Sequence, residues 1–152
     1  MLTRLVTRDD AEHLFKWRND PHTIAMSLNT MPVIWNEHID WLQRALSDEK
    51  KLLILCYLEN FAPVGFVRFD VYYRYAEVSI NLDPHCRGKG YAKRCLTAAL
   101  ERFKIEFQRS MLIKARIKAE NKVSQRVFTK LGFEYTLERD NIKYYSLNLG
   151  AR

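Results

Sequence analysis

Little in this chain could cross-link it, bind a metal or hold it in a bilayer. Its 152 residues include three cysteines, Cys56, Cys86 and Cys95. They show no pair spacing typical of zinc and no even-numbered disulfide framework. Reduced thiols and no metal are the simplest expectation, which suits a cytoplasmic protein. No apolar run approaches the roughly 20 residues that a spanning helix needs. The N-terminus carries no leader-like pattern, so no membrane partner is expected. Repeats, low-complexity tracts and linkers are also missing. One domain over 1–152 is expected, long enough to bury a core without staples.

Acidic residues are the scarcer charge, 18 against 25 Lys and Arg, for a formal net charge of +7 at pH 7. That excess favours anionic partners such as nucleotide cofactors, phosphorylated sugars, nucleic acid or acidic lipid. The basic residues are spread over all elements and no recognition motif stands out, so nucleic acid is not expected.

Apolar periodicity and turn residues give the order of elements. Leu2 to Val6 alternates as a first strand. Thr7-Arg8-Asp9-Asp10 caps a helix that Asn19-Asp20-Pro21 ends. Residues 22–35 lack a clear period and read as a loop with room for a short helix. A second long helix starts at Trp35 or Asn36. Strands follow at Lys51–Leu58, Pro63–Tyr72 and Tyr75–Leu82, then a helix to about Gln108. Met111–Lys118 is a strand with Lys114, Arg116 and Lys118 on one face. A short helix from Asn121 to Lys130 and two strands about Asp140-Asn141 complete the chain. The pattern is α/β, with a sheet of mixed direction and helices on both faces.

Between the strand ending at Leu82 and the long helix lies Asp83-Pro-His-Cys-Arg-Gly-Lys-Gly-Tyr-Ala92. The helix behind it buries Ala92, Cys95, Leu96, Ala99, Leu100, Phe103 and Phe107 on one face. Gly88 and Gly90 allow positive φ and close approach of a ligand to backbone. The first helical turn has unpaired N–H groups and partial positive charge, to which Arg87 and Lys89 add full charge. Together they read as a diphosphate cradle.

Arg87-Gly88-Lys89-Gly90-Tyr91-Ala92 matches the Arg/Gln-x-x-Gly-x-Gly/Ala signature of the Gcn5-related N-acetyltransferase (GNAT) superfamily. Asn121, about 30 positions on, opens a helix that ends in Leu131-Gly132-Phe133, and the strand order resembles that fold from end to end. The resemblance implies a mixed, mostly antiparallel sheet with a splayed central strand pair, and acetyl-coenzyme A as co-substrate. It assigns the pyrophosphate to Arg87, Gly88, Lys89, Gly90, Tyr91 and Ala92. The pantetheine arm goes to backbone groups of Ile80, Asn81 and Leu82. Asn121 falls on the far side of the splay, where a simple N-cap is the other account of it. Lys122 and Arg126 are either a solvated face or a contact to the adenosine phosphate. One departure is Phe128, where many members place a tyrosine that protonates the leaving thiolate. Ser124, Tyr135, Tyr144 or water are the substitutes, and a non-catalytic acetyl-coenzyme A binding module becomes an alternative.

For the acceptor, Phe15–Pro21, Glu37-His38 with Trp41, and Lys143-Tyr144-Tyr145-Ser146-Leu147 are similar to a subgroup of that superfamily. Its members N-acetylate a nucleotide-linked 4-amino-4,6-dideoxy sugar, as in the pathway to pseudaminic acid. Relatives that acetylate protein N-termini share these motifs, so a protein or ribosomal-protein N-terminus, or another small amine, is the alternative. Arg18, His38 and Tyr72 are the candidate acceptor contacts, with Arg68, Tyr73 and Arg74 beside them; Arg18 also suits a helix C-terminus, and Trp17 and Trp41 suit core packing. Acetyl transfer needs a neutral amine and a stabilised oxyanion. The Leu82 N–H is the expected oxyanion donor. Glu77 is the expected base, or else a surface carboxylate paired with Arg68 or Arg74. His38 is the second choice for base or relay. A homodimer is compatible with all of this.

Overall fold

The computed structural model describes residues 1–150; Ala151 and Arg152, inside the expected domain, lie outside the described residues. The strands are β1 (Leu2–Leu5), β2 (Lys51–Tyr57), β3 (Pro63–Val71), β4 (Tyr75–Leu82), β5 (Met111–Lys118), β6 (Glu134–Arg139) and β7 (Ile142–Leu149). The helices are α1 (Ala11–Arg18), α2 (Pro21–Met26), α3 (Trp35–Leu46), α4 (Tyr91–Phe107) and α5 (Lys122–Lys130). No helix among the described residues is long and apolar enough to cross a membrane.

The strands form one sheet in the order β1-β2-β3-β4-β5-β7-β6. Every neighbouring pair is antiparallel except β4 with β5. Local chemistry explains the tight connections. Asp140 and Asn141 both take positive φ, 53° and 62°, the geometry a two-residue hairpin requires. Pro21 does more than end α1, as the sequence suggested. It opens α2, where a missing N–H costs nothing, and the Asp20 carboxylate caps that helix by accepting from the Thr23 N–H at 3.1 Å.

Alternation along the strands divides the core in two. One face carries Ile54, Val67, Phe69, Ala76, Val78 and Ile113 against Leu96, Ala99 and Phe103 of α4. Phe69 and Phe103 pack with ring centroids 4.6 Å apart. The other face carries Leu53, Leu55 and Phe66 against Leu14 and Trp17 of α1 and Leu42 of α3. Trp17 is therefore a core residue, and Trp41 packs partly against the same cluster. Burying side chains of this size stabilises by about 1.5–3 kcal/mol each. The glycine-rich turn between β4 and α4 ends up beside the first face. Residues of the Arg18–Asp20 segment lie over the second.

The central pair parts early. β4 and β5 are in register at Tyr75–Leu112, Ala76–Ile113 and Glu77–Lys114, and not beyond. β4 continues along β3 to Leu82 opposite Gly65, and β5 continues along β7 to Lys118. Gly65 lets β4 run that far beside β3: a Cβ there would stand 2.9 Å from Leu82 Cδ2 and 3.2 Å from the Asn81 carbonyl oxygen.

Candidate active site

The ladder phase decides which backbone groups of β4 look into the gap. Tyr72 N donates to Tyr75 O and Asp83 N donates to Val64 O, both at 2.8 Å. In an antiparallel pair the bonded positions alternate. The bonded pairs between those ends are therefore Asp70–Glu77, Arg68–Ser79 and Phe66–Asn81. The N–H and C=O of Val78, Ile80 and Leu82 point the other way, toward β5, which has already turned off. Ile80 and Leu82 thus offer backbone groups to the splay. Asn81 does not: its backbone is committed to β3, and its side chain shares the opposite face with Glu77 and Ser79. Counting Asn81 with its neighbours missed the two-residue alternation of N–H direction.

At the end of the splay sits the cradle. The Asp83 carboxylate accepts from the His85 N–H at 2.9 Å, fixing a short 3-10 turn over Pro84–Cys86. Gly88 and Gly90 follow with φ of 73° and 77°. A Cβ on either would meet nothing within 4 Å. The glycines are there for conformation, and the space before them is open. Gly90 is the N-cap of α4 and brings no side chain to cap it, so the first N–H groups of α4, from Tyr91 and Ala92 on, face that space.

The Arg87 side chain turns away from that space. Its Nη2 donates to Asp20 Oδ2 at 2.5 Å and to Thr23 Oγ1 at 2.7 Å. The Lys118 Nζ on β5 donates to the Ala25 carbonyl at 2.8 Å. α2 therefore bridges the two arms of the splay, held to the cradle at one end and to β5 at the other. The four residues before Pro21 divide the work of placing it. Trp17 anchors α1 in the core. Arg18 Nη2 donates to the carbonyls of Asn29 and Met31. Asn19 makes two bonds with Val33, Nδ2 to O at 2.8 Å and Oδ1 from N at 2.7 Å. Asp20 caps α2.

On the face under α2, Glu77 Oε1 accepts from Arg116 Nε. Neither Arg68 nor Arg74 is its partner. The parallel start of β4 and β5 sets Glu77 against Lys114, and Arg116 reaches back one strand step. That hydrogen bond, opposed by burial, raises the Arg116 guanidinium above its ordinary range. Tyr144 stands opposite Arg116 and Ser146 opposite Lys114 on this face, while Tyr145 and Leu147 turn to the core on the other. Tyr72 is exposed and stacks on Tyr75 at 4.7 Å, and Lys114 Nζ lies 4.0 Å above the Tyr75 ring centroid.

His38 has a different place from the one expected. It is 4% exposed, among the rings of Phe15, Trp35 and Trp41 at 5.5–5.9 Å. Its Nε2 lies 2.9 Å from the Ala11 carbonyl. A carbonyl only accepts, so Nε2 carries the proton. Burial pushes the imidazole below its usual range despite that bond. His38 joins α3 to α1 and is neither base, relay nor acceptor contact; the helical spacing that put it near Trp41 turned it inward. Phe128 is also core, 3% exposed and edge-on to Phe133 at 5.0 Å. Asn121 caps α5, with Oδ1 accepting from Ser124 N at 3.2 Å. Sequence reasoning passed over Gly65 and gave Asp20 and Arg116 no role of their own, because those roles depend on distant partners; an isolated glycine in a strand is the one signal that pointed to Gly65.

Residues 1–134 match a family described as "Acetyltransferase (GNAT) domain". The Bacillus subtilis (strain 168) protein named "Putative phosphinothricin acetyltransferase YwnH" is 31% identical over 142 residues, 88% of this chain and 83% of that protein. Among solved structures, a domain from Methanocaldococcus jannaschii DSM 2661 is 27% identical with a TM-score of 0.80, covering 97% of each chain. Spermidine N-acetyltransferase from Vibrio cholerae, in complex with CoA and spermine, is 18% identical with a TM-score of 0.85, covering 97% of this chain and 95% of that one.

Proposed function

This chain belongs to the GNAT acetyltransferase family, and on that footing we propose that it moves the acetyl group of acetyl-coenzyme A to the primary amine of a nucleotide-linked amino sugar. One observation carries the reading. The gap between β4 and β5 opens below an uncapped helix start, and Glu77 stands on the other side of it.

The residues present fit the coenzyme. The open space before Gly88 and Gly90 is the room a pyrophosphate needs, and the first N–H groups of α4 supply donors and dipole charge. Lys89 adds a full charge. Ile80 and Leu82 present the backbone that a pantetheine amide can pair with. Bound there, the coenzyme supplies the thioester whose acetyl group is transferred.

The chain's own residues do the rest. Leu82 N–H donates, in this reading, to the carbonyl oxygen as charge builds on it. The Glu77 carboxylate is oriented through Oε1, which leaves Oε2 to take the ammonium proton directly or through one water. α2 shelters the site and narrows the poses an amine can adopt. Phe128 has no proton to give, and a coenzyme thiolate is a fair leaving group without one. Tyr144 opposite Arg116 brings one hydroxyl to the acceptor face.

The acceptor follows from the surroundings. Lys114, Arg116 and Lys118 share the face with stacked Tyr72 and Tyr75, which suits a diphosphate and a planar base. The similarity of Lys143–Leu147 to the amino-sugar subgroup points the same way. A polyamine would bring more positive charge to a face already rich in it. An amino acid acceptor is the second reading, favoured by the name of the Bacillus subtilis relative.

Thiol release on mixing protein and acetyl-coenzyme A with single amines tests this. The expected result is release with a UDP-linked 4-amino-4,6-dideoxy sugar and little with spermidine. Release confined to an N-terminal peptide would overturn the acceptor. Coenzyme binding without release for any amine would leave a binding module.

A further inference from the structure

The C-terminal end of α1 and the middle of β3 bring two guanidinium groups together with donors left over. Arg18 spends Nη2 on the Asn29 and Met31 carbonyls. Its Nη1 is buried and has no hydrogen-bond partner among the described residues. Arg68 Nε is in the same condition. It lies 3.1 Å from Asp70 Oδ2, off the line a hydrogen bond needs. Asp70 already accepts from Lys51 Nζ at 2.6 Å through Oδ1. Lys51 and Arg68 therefore share one carboxylate in a half-buried place, and Arg18 adds a further positive charge beside Arg68.

Leaving a buried charged donor unpaired is costly, as is holding like charges side by side. Burial first, and the positive charge of Arg68 second, push the Arg18 guanidinium below its usual range. Structural needs do not account for the arrangement. Arg18 could hold the loop through Nη2 alone, and Trp41, whose ring centroid lies 5.7 Å from the Arg68 guanidinium carbon, needs no second cation beside it.

Position completes the case. Arg68 is opposite Ser79, two residues past Glu77 on the strand that borders the splay. Neighbouring strands lie about 5 Å apart. A group seated on both arginines would sit roughly 5–10 Å from an amine at the mouth of the gap.

We propose that Arg18 and Arg68 together receive an anionic group of the acceptor, a carboxylate or a phosphate, while its amine enters the splay beside Ser79. The proposal rests on the acetyltransferase reading and narrows it to acceptors that carry negative charge within that reach. The two readings of the acceptor share this chemistry, since a sugar nucleotide brings a phosphate and an amino acid a carboxylate. A planar guanidinium pair suits either oxyanion.

Matched acceptors test it. One arm compares a UDP-linked 4-amino-4,6-dideoxy sugar with the free amino sugar; the other compares L-methionine with L-methioninamide. The wild type is expected to prefer the anionic member of at least one pair, and the arm that responds identifies the source of the anion. Arg68→Gln should raise KM for that member about 10- to 100-fold, leave KM for the neutral member in place, and change kcat less. Arg18→Gln, which also frees the Asn29 and Met31 carbonyls, should raise KM for both members and more for the anionic one. Arg68→Lys should recover part of the preference, which a purely structural role would not do. Equal kcat/KM for both members of both pairs in the wild type would overturn the subsite while leaving acetyl transfer standing. So would equal losses on charged and neutral members in folded Arg68→Gln. Where no amine releases thiol, calorimetry with the UDP-linked sugar and with L-methionine on protein saturated with coenzyme A decides. Binding that Arg68→Gln weakens tenfold supports the subsite and places the failure on the reaction. Binding that is absent, or the same in the variant, overturns it.

Discussion

Asp20 and Arg87 stand 67 positions apart and share an ion pair, with Asp20 Oδ2 accepting from Arg87 Nη2. Through that pair the cap of α2 is fastened to the cradle that would hold the donor. Burial alone would raise the Asp20 carboxyl. Hydrogen bonds from Arg87 and the Thr23 N–H outweigh it and hold the group below the usual carboxylate range.

Asp20→Ala removes the cap and the pair together. A loss of about 1–2 kcal/mol is expected, mainly from the cap, read as a lower urea midpoint with an unchanged m-value. The acceptor KM should rise, because α2 loses its tie to the cradle. An unaltered midpoint and KM would remove α2 from the site.

At Gly90, stability and affinity should separate. The φ of 77° makes Gly90→Ala cost about 1–2 kcal/mol. Gly90→Asn should cost less, since Asn visits that region more readily. Both side chains extend into the open space before α4, so both should weaken coenzyme A binding by calorimetry. Wild-type affinity in the Asn variant would refute the cradle.

Gly65→Ala should disturb the splay from behind. Its Cβ would press on Leu82 at 2.9 Å and on the Asn81 carbonyl at 3.2 Å, and backbone cannot step aside cheaply. A destabilisation of about 1–3 kcal/mol is expected, together with weaker coenzyme A binding as Leu82 shifts. Thermal melts and calorimetry on the same samples check it.

Glu77→Gln keeps the shape of the side chain and removes its basicity. A fall in kcat of about 100- to 10,000-fold is expected, with the coenzyme KM unchanged. A wild-type rate at every pH would exclude Glu77 as base.

His38 supplies a pH dependence of stability rather than of rate. Its folded pKa lies below the unfolded value of about 6.5. On acidification the unfolded chain takes up the proton first. The contribution is complete above pH 6.5 and is lost as pH falls through the lower, folded value. The stability gap between the wild type and His38→Asn should therefore narrow from pH 7.5 to pH 5, followed by urea midpoints. A gap that stays constant would show that His38 titrates alike in both states.

The cradle was legible in the residues because it is local. Two glycines, two cations and an apolar helix face fit within 21 positions, from Arg87 to Phe107, and each has a short-range meaning. The strand alternation of Glu77, Ser79 and Asn81 was local in the same way, as was the Asn121 cap. His38 was not. Its spacing from Trp41 is the same whether the pair faces an acceptor or the core, and only the packing of α3 on α1 chose the core. The Asn81 backbone was misjudged because the phase of the β3–β4 ladder is set at its two ends, by Tyr72–Tyr75 and Val64–Asp83.

The sequence by itself determined the order of elements, the mixed α/β class and the glycine-rich turn at the start of α4, since periodicity, caps and turn residues act over a few positions. Only the tertiary structure decided who meets whom across the sheet: Arg116 with Glu77, Arg87 with Asp20, and Arg18 with Arg68. The first two pairings arise because β4 and β5 part after three registered positions and α2 closes over the gap, so charges 39 and 67 positions apart become neighbours. No local pattern encodes such distances. They are fixed when two apolar cores, one on each face of the sheet, are buried together.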